Sequence, residues 1–308
     1  MFMPSINSSA LFARKNIMPV INADKPGNNL RHPASKGARI FCDSAVRADI
    51  EPLLKAGLIH GITTNPTLLK KSGAKSWDEA KGIMKDLCAL LNPFPVSLEL
   101  TELTEEKMVA QASELGALGT NAVIKVPAGG YPAVVPGGDP FTGFKVIRRL
   151  WEKGIKTNVT LIFNTTQAFW AANAGATYIS PFLGRVPDYI NKNDDPAKAA
   201  GNSLYSIGEK GVVAGDRVAN SEYVAAGGAI KDSGARLIFE IATVFANYQI
   251  TTEILAASIR NPVQLTECLL AGADILTVPA NVLQTVADHP LSDEGMKGFL
   301  ADSKAFST

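Results

Sequence analysis

NAVIKVP, residues 121–127, sets one lysine in the middle of an apolar run. The short β-branched stretch Ala122–Val126 reads as a strand, with Lys125 flanked by Ile124 and Val126. A charged group there is expensive to bury unpaired. Three readings stay open. The ammonium snorkels to solvent, it pairs with a carboxylate, or its amine is held for chemistry, since desolvation disfavours the charged form and frees a nucleophile.

Runs of the same kind recur on both sides of it. Arg39–Cys42, Ile59–Thr63, Val96–Leu100, Ala122–Val126, Asn158–Ile162, Thr177–Ser180, Ile250–Ala256 and Asp274–Val278 make eight candidate strands. Helix-like stretches alternate with them: Thr104–Leu118, Phe144–Lys153, Gln167–Ala174, Leu237–Tyr248 and Pro262–Ala271. Thr104 and the two glutamates after it suit a helix start. The glycines of KAG, ALG, EKG, NAG and LAG are read as helix stops before a strand. Eight alternating units with no Gly-rich dinucleotide fingerprint point to a single α/β domain, a (β/α)8 TIM barrel, ahead of an open doubly wound sheet.

The chain has 308 residues, 46% hydrophobic and 19% charged, enough for a large core. Its net charge of +1 gives no general attraction to nucleic acid or to a membrane surface. No apolar stretch approaches the roughly 20 residues that span a bilayer. Cys42, Cys88 and Cys268 are far apart in apolar surroundings, as expected of reduced thiols in a cytoplasmic protein. His32, His60 and His289 show no ligand-like spacing, so no metal site is expected.

Residues 1–38 differ from the barrel expected at 39–308. The first forty residues carry Arg14, Lys15, Lys25, Arg31, Lys36 and Arg39 against the single acid Asp24, and lack helical periodicity. They read as a flexible N-terminal arm, with an organellar targeting segment as the alternative. Two stretches exceed a minimal barrel: Ala128–Phe141 after the fourth strand and Asn191–Gly234 after the sixth. Both are expected on the C-terminal face, where barrels build their sites. Substrate shaping, oligomer contact and plain loop decoration are all open for them.

Polar residues gather at the ends of the expected strands. Asp43 ends the first; Thr63, Thr64 and Asn65 end the second; Glu99 lies on the third and Lys125 on the fourth. The fifth carries Asn158 and Thr160, Ser180 and Arg185 follow the sixth, and Ser258 and Arg260 follow the seventh. Asp43 and Glu99 either balance Lys125 as a buried ion cluster or move protons. Arg185 and Arg260 suit a phosphate late in the barrel, or surface salt bridges.

These residues stand in FCDSA, GLIHGITTNPTLL, VSLEL, NAVIKVP, GIKTNVTLIF, AGATYISPFLGR, EILAASIRNP and GADILTVPANVL, in that order. From about Arg39 to the C-terminus the chain resembles the transaldolase family, which includes the small transaldolases and the fructose-6-phosphate aldolases. The resemblance implies Lys125 as the Schiff-base lysine and Asp43 as the group acting on the hydroxyl proton. It implies Glu99 and Thr160 as the pair holding a catalytic water. Thr63, Asn65, Asn158 and Ser180 would line the dihydroxyacetone end, and Arg185, Ser258 and Arg260 would bind phosphate. Glu99 and Phe182 stand where the fructose-6-phosphate aldolases have Gln and Tyr, which favours transfer over release.

The implied function is a transferase of carbohydrate metabolism, of the pentose phosphate type. It would move a dihydroxyacetone unit from a ketose phosphate, such as fructose 6-phosphate or sedoheptulose 7-phosphate, to an aldose phosphate. An aldolase releasing dihydroxyacetone, or an enzyme for a sulfonated sugar, is the alternative. The protonated imine is the electron sink, so no metal or organic cofactor is implied. Sugar phosphates are the expected partners, and a homo-oligomer the expected assembly.

Overall fold

All eight β-branched runs become strands, and they close on themselves. In the computed structural model, which describes residues 37–192 and 232–306, the order is β1-β2-β3-β4-β5-β6-β7-β8, back to β1. The strands are β1 (Arg39–Asp43), β2 (Ile62–Thr63), β3 (Val96–Glu99), β4 (Ala122–Pro127), β5 (Thr157–Ile162), β6 (Tyr178–Pro181), β7 (Glu253–Ala256) and β8 (Ile275–Val278). Every pairing is parallel, including the β8–β1 pair that seals the ring. This is a (β/α)8 barrel, with no sheet edge left to cover.

The helices are α1 (Arg47–Lys55), α2 (Pro66–Lys71), α3 (Trp77–Leu91), α4 (Glu105–Gly116), α5 (Thr142–Glu152), α6 (Thr165–Ala174), α7 (Arg185–Lys192), α8 (Ser233–Asn247), α9 (Pro262–Leu270), α10 (Ala280–Val286) and α11 (Pro290–Ser303). Thr104 is the N-cap of α4, but its side chain makes no capping bond. The two glutamates that follow still suit the positive end of the helix dipole. Ser76, Asn65, Asn164 and Asn261 do cap their helices, each accepting from the backbone N–H three residues on.

Some expected boundaries move. β2 is two residues long, Ile62–Thr63, although His60 and Gly61 before it already hydrogen-bond to Ile40 and Cys42 of β1. Gly61 is required there: a Cβ would sit 2.7 Å from the Phe41 ring. β7 starts at Glu253, three residues after the expected Ile250. Gly175 does end α6 in the left-handed region, at φ 107°. Gly119 is instead a packing glycine three residues past α4, where a Cβ would meet Cys88 Cβ at 2.6 Å.

Strand alternation makes two apolar layers. Outward residues such as Ile124, Val126, Val159 and Ile254 pack with Met108, Ile147, Leu150 and Ile241 of the surrounding helices. Inward residues Phe41, Val123, Tyr178, Leu255 and Ile275 plug the lower half of the barrel. Arg39, counted by sequence with the basic arm, is the first residue of β1 and is buried in this floor. Its guanidinium bonds Glu253 at 2.5 Å and lies near the rings of Phe41 and Tyr178.

Residues 1–36 of the N-terminal arm and 193–231 of the second insert lie outside the described residues. The three cysteines are free and buried. Burial pushes the thiols of Cys42 and Cys88 up, to about 12 and about 11.

Candidate active site

Two residues above four of the five apolar plug residues, the same strand face turns polar; above Leu255 it stays apolar, with Ala257. Phe41 is followed inward by Asp43, Val123 by Lys125, Tyr178 by Ser180 and Ile275 by Thr277. The period of two thus lays a polar storey on an apolar floor, at the C-terminal mouth of the barrel.

Lys125 is 3% exposed, yet it does not snorkel. Its Nζ pairs with Glu99 Oε2 at 2.9 Å and donates to Thr64 O at 3.3 Å. Register makes Glu99 and Lys125 direct neighbours on β3 and β4. The Phe182 ring lies beside the ammonium, its centroid 5.5 Å from Nζ. One carboxylate, one carbonyl and one aromatic ring therefore surround this buried amine.

Asp43 stands three strands away round the ring. Thr63 donates to its Oδ1 at 2.6 Å, and Thr63 Oγ1 lies 2.5 Å from Thr277 Oγ1. Because the single Thr63 proton goes to Asp43, Thr277 must donate to Thr63. That chain fixes one oxygen of the carboxylate. Asn65 is occupied in part, since its Oδ1 caps α2 by accepting from Leu68 N at 2.9 Å. Its amide nitrogen remains available.

Asn158 is not at a strand end. It is the second residue of β5, in register with Lys125. It bridges two neighbours, donating to Ser97 Oγ at 3.1 Å and accepting from Ser180 Oγ at 2.7 Å. Thr160, two residues on, is fully buried, and its Oγ1 has no partner among the described residues. A buried hydroxyl without a partner costs about 1–3 kcal/mol unless something bonds it.

Arg185 and Arg260 lie further out and exposed, beyond β6 and β7. Arg185 packs its guanidinium 5.2 Å from the Phe182 centroid, and Arg260 bonds Asp188 Oδ2 of α7 at 2.9 Å. Gly184 lets their two segments meet, because a Cβ there would be 2.0 Å from Ser258 O. Ser258 itself adopts φ 67°.

Among the described residues, three of the four non-glycine residues at positive φ border this mouth: Tyr131, Leu161 and Ser258. Each costs roughly 1–2 kcal/mol for a side chain with a Cβ. At Leu161 the strain accompanies a register shift between Val159 and Ile162. That bulge follows Thr160 and returns Ile162 to the outer core.

The sequence reading missed Ser97, Thr277 and Tyr131. Ser97 and Thr277 could have been found by counting back two residues from Glu99 and forward two from Ile275. Tyr131 lies in the loop after β4, where no periodicity speaks. Its hydroxyl donates to Pro127 O at 2.5 Å. Burial, and second the charge of Glu99, push this phenol up from its ordinary value.

The sequence model of the family described as Transaldolase/Fructose-6-phosphate aldolase matches residues 40–307. Proteins named probable transaldolase are similar to this chain. Those of Desulforapulum autotrophicum, Thermoplasma volcanium and Clostridium tetani are 35%, 36% and 36% identical over 266, 271 and 269 residues. These alignments cover 86%, 87% and 87% of this chain and 97%, 96% and 99% of those proteins. The matched span takes in every strand of the barrel but the first residue of β1, and with it the whole polar storey around Lys125. On that extent of match, the chain belongs to the transaldolase/fructose-6-phosphate aldolase family.

Proposed function

We propose that this protein is a transaldolase, carrying a three-carbon dihydroxyacetone unit on Lys125 from a ketose phosphate to an aldose phosphate. The observation that carries the reading is the buried Lys125 amine, 2.9 Å from the Glu99 carboxylate on the inner face of the barrel. A proton passed from Nζ to Glu99 leaves the amine free to attack the C2 carbonyl of the ketose. The resulting carbinolamine loses water, and Glu99, with a water held by the Thr160 hydroxyl, carries the protons.

Asp43 then removes the C4 hydroxyl proton. The C3–C4 bond breaks, its electrons move to the protonated imine, and C4 leaves as the carbonyl carbon of an aldose phosphate. The enamine on Lys125 attacks the carbonyl carbon of a second aldehyde through C3. The new oxyanion takes the proton back from Asp43. Water finally hydrolyses the imine and releases the product ketose.

Asn158 and Ser180, already bonded to each other, supply polar contacts to the three-carbon unit. Arg185, Arg260 and Ser258 receive the phosphate, with Asp188 releasing Arg260 to it. Phe182 supports transfer over release, because its ring presents no hydroxyl to relay a proton to the enamine.

We also infer that the chain associates with copies of itself. Residues of α11 support this, since none of them is buried and Phe299 and Leu300 are 70% and 58% exposed.

Borohydride trapping tests the chemistry. With fructose 6-phosphate present, reduction should leave a stable adduct on the Lys125 peptide, seen by mass spectrometry, and none in Lys125→Met. An adduct on another lysine, or full turnover by Lys125→Met, would end the proposal. In a separate sample without borohydride, erythrose 4-phosphate added with fructose 6-phosphate should yield sedoheptulose 7-phosphate; free dihydroxyacetone as the main product would make it an aldolase.

A further inference from the structure

The loop after β4 is tied more tightly than a strand-to-helix connection needs. Gly143 N–H donates to Gly129 O at 2.9 Å, and a Cβ on Gly130 would lie 2.1 Å from Asp139 O. The chain therefore crosses itself at contact distance. Asp139 secures the far side, accepting from the Phe141 amide at 2.9 Å and pairing with Lys145.

Inside this closed loop Tyr131 adopts φ 53°. A glycine would remove that strain, and two glycines stand immediately before it. The strained residue is instead the one whose side chain reaches the barrel mouth. Its hydroxyl bonds the carbonyl of Pro127, two residues beyond Lys125 on β4. Strain that a surrounding structure holds in place beside a catalytic strand points toward function rather than simple linkage.

The direction of that hydrogen bond limits what the phenol offers. Its one proton goes to Pro127, so its oxygen is left as an acceptor. Glu99, whose charge acts on the same phenol, is likewise an acceptor. The carbonyl that anchors Tyr131 belongs to Pro127, the last residue of β4 and two residues nearer its C-terminal end than Lys125. A phenol anchored there would meet the part of a sugar beyond the three carbons held at the lysine.

We propose that Tyr131 is a specificity-determining residue, accepting a hydrogen bond from the hydroxyl beside the reacting carbon of the aldehyde. The enzyme would thereby select hydroxylated aldehydes over deoxygenated ones. This rests on the reading of Lys125 as the imine-forming lysine.

The test compares wild type with Tyr131→Phe, using sedoheptulose 7-phosphate as donor. The acceptors are glyceraldehyde 3-phosphate and 3-phosphooxypropanal, which differ only by that hydroxyl. Wild type should prefer the hydroxylated acceptor in kcat/KM. Tyr131→Phe should lower kcat/KM for it about tenfold, the value of one neutral hydrogen bond, and leave the deoxygenated acceptor within about twofold. Equal losses for both acceptors, or a lower Tm with the preference intact, would mean that the phenol only fastens the loop. No preference in wild type overturns the proposal without any variant. Borohydride adducts measured on both proteins separate the two levels. An adduct on Lys125 with unchanged preference sinks the Tyr131 inference alone, whereas no adduct in wild type sinks the reading beneath it.

Discussion

Glu99 and Lys125 form a pair in which each partner sets the condition of the other. Removing the carboxylate charge while keeping its shape leaves a cation held only by Thr64 O and the Phe182 ring. Breaking a buried pair from one side costs roughly 3–5 kcal/mol, and the lower end applies because the Glu99 side chain keeps 15% exposure. We expect Glu99→Gln to fold with a lowered Tm and to lose about 100-fold in kcat, the scale of one proton-transfer group. Its KM for the ketose should change little. A kcat near that of wild type would show that Glu99 serves only to neutralise the lysine. At this scale the sequence read well where a polar type interrupts an apolar strand, as at Asp43, Glu99, Lys125 and Thr160. It set Arg39 at the start of the first strand but could not show its partner, Glu253, which lies 214 residues away.

The connection between β6 and α7 shows how an element positions side chains that it does not itself carry. Gly184 allows the β6 end to lie against the Ser258 carbonyl, and Arg185 and Arg260 project from the two touching segments. The atom a Cβ would strike is backbone, so no rotamer change relieves it. We expect Gly184→Ala to lose about 1–3 kcal/mol of stability and to raise KM for phosphorylated substrates about tenfold by parting the arginines. Gly175→Ala is the control. Its Cβ would collide with Trp151 at 2.5 Å before β6 begins, on the opposite face of the barrel. It should lower Tm with KM unmoved. If both variants shift KM alike, the phosphate site is not where Gly184 puts it. The strands themselves were legible from composition. The bulge after Thr160 and the shortness of β2 were not, because a register shift is chosen by the neighbouring strand and leaves no mark of its own in TNVTLI.

For the molecule as a whole, closure of the barrel consumes every strand edge, and α11 is one of the places among the described residues where several apolar side chains face outward. Leu291, Met296, Phe299 and Leu300 are all exposed on this helix. Covering them with a second copy would remove a patch of the kind that marks interfaces. We expect light scattering to give a mass above one chain, and Phe299→Lys with Leu300→Glu to shift it toward the monomer without loss of the Lys125 adduct. A wild-type monomer at micromolar concentration would refute the association. No helix among the described residues is long and apolar enough to cross a membrane. By itself the sequence determined the alternation of eight strands with helices, the strand that carries Lys125 and the polar types gathered near it, because period and residue chemistry are local properties. Only the tertiary structure decided that Glu99 is the partner of Lys125, that Thr277 and Ser97 belong to the same polar storey, and that Tyr131 returns to the mouth. Those facts depend on which strands become neighbours when the ring closes and on where a loop without periodicity turns back, and both are fixed by contacts between residues far apart in the chain.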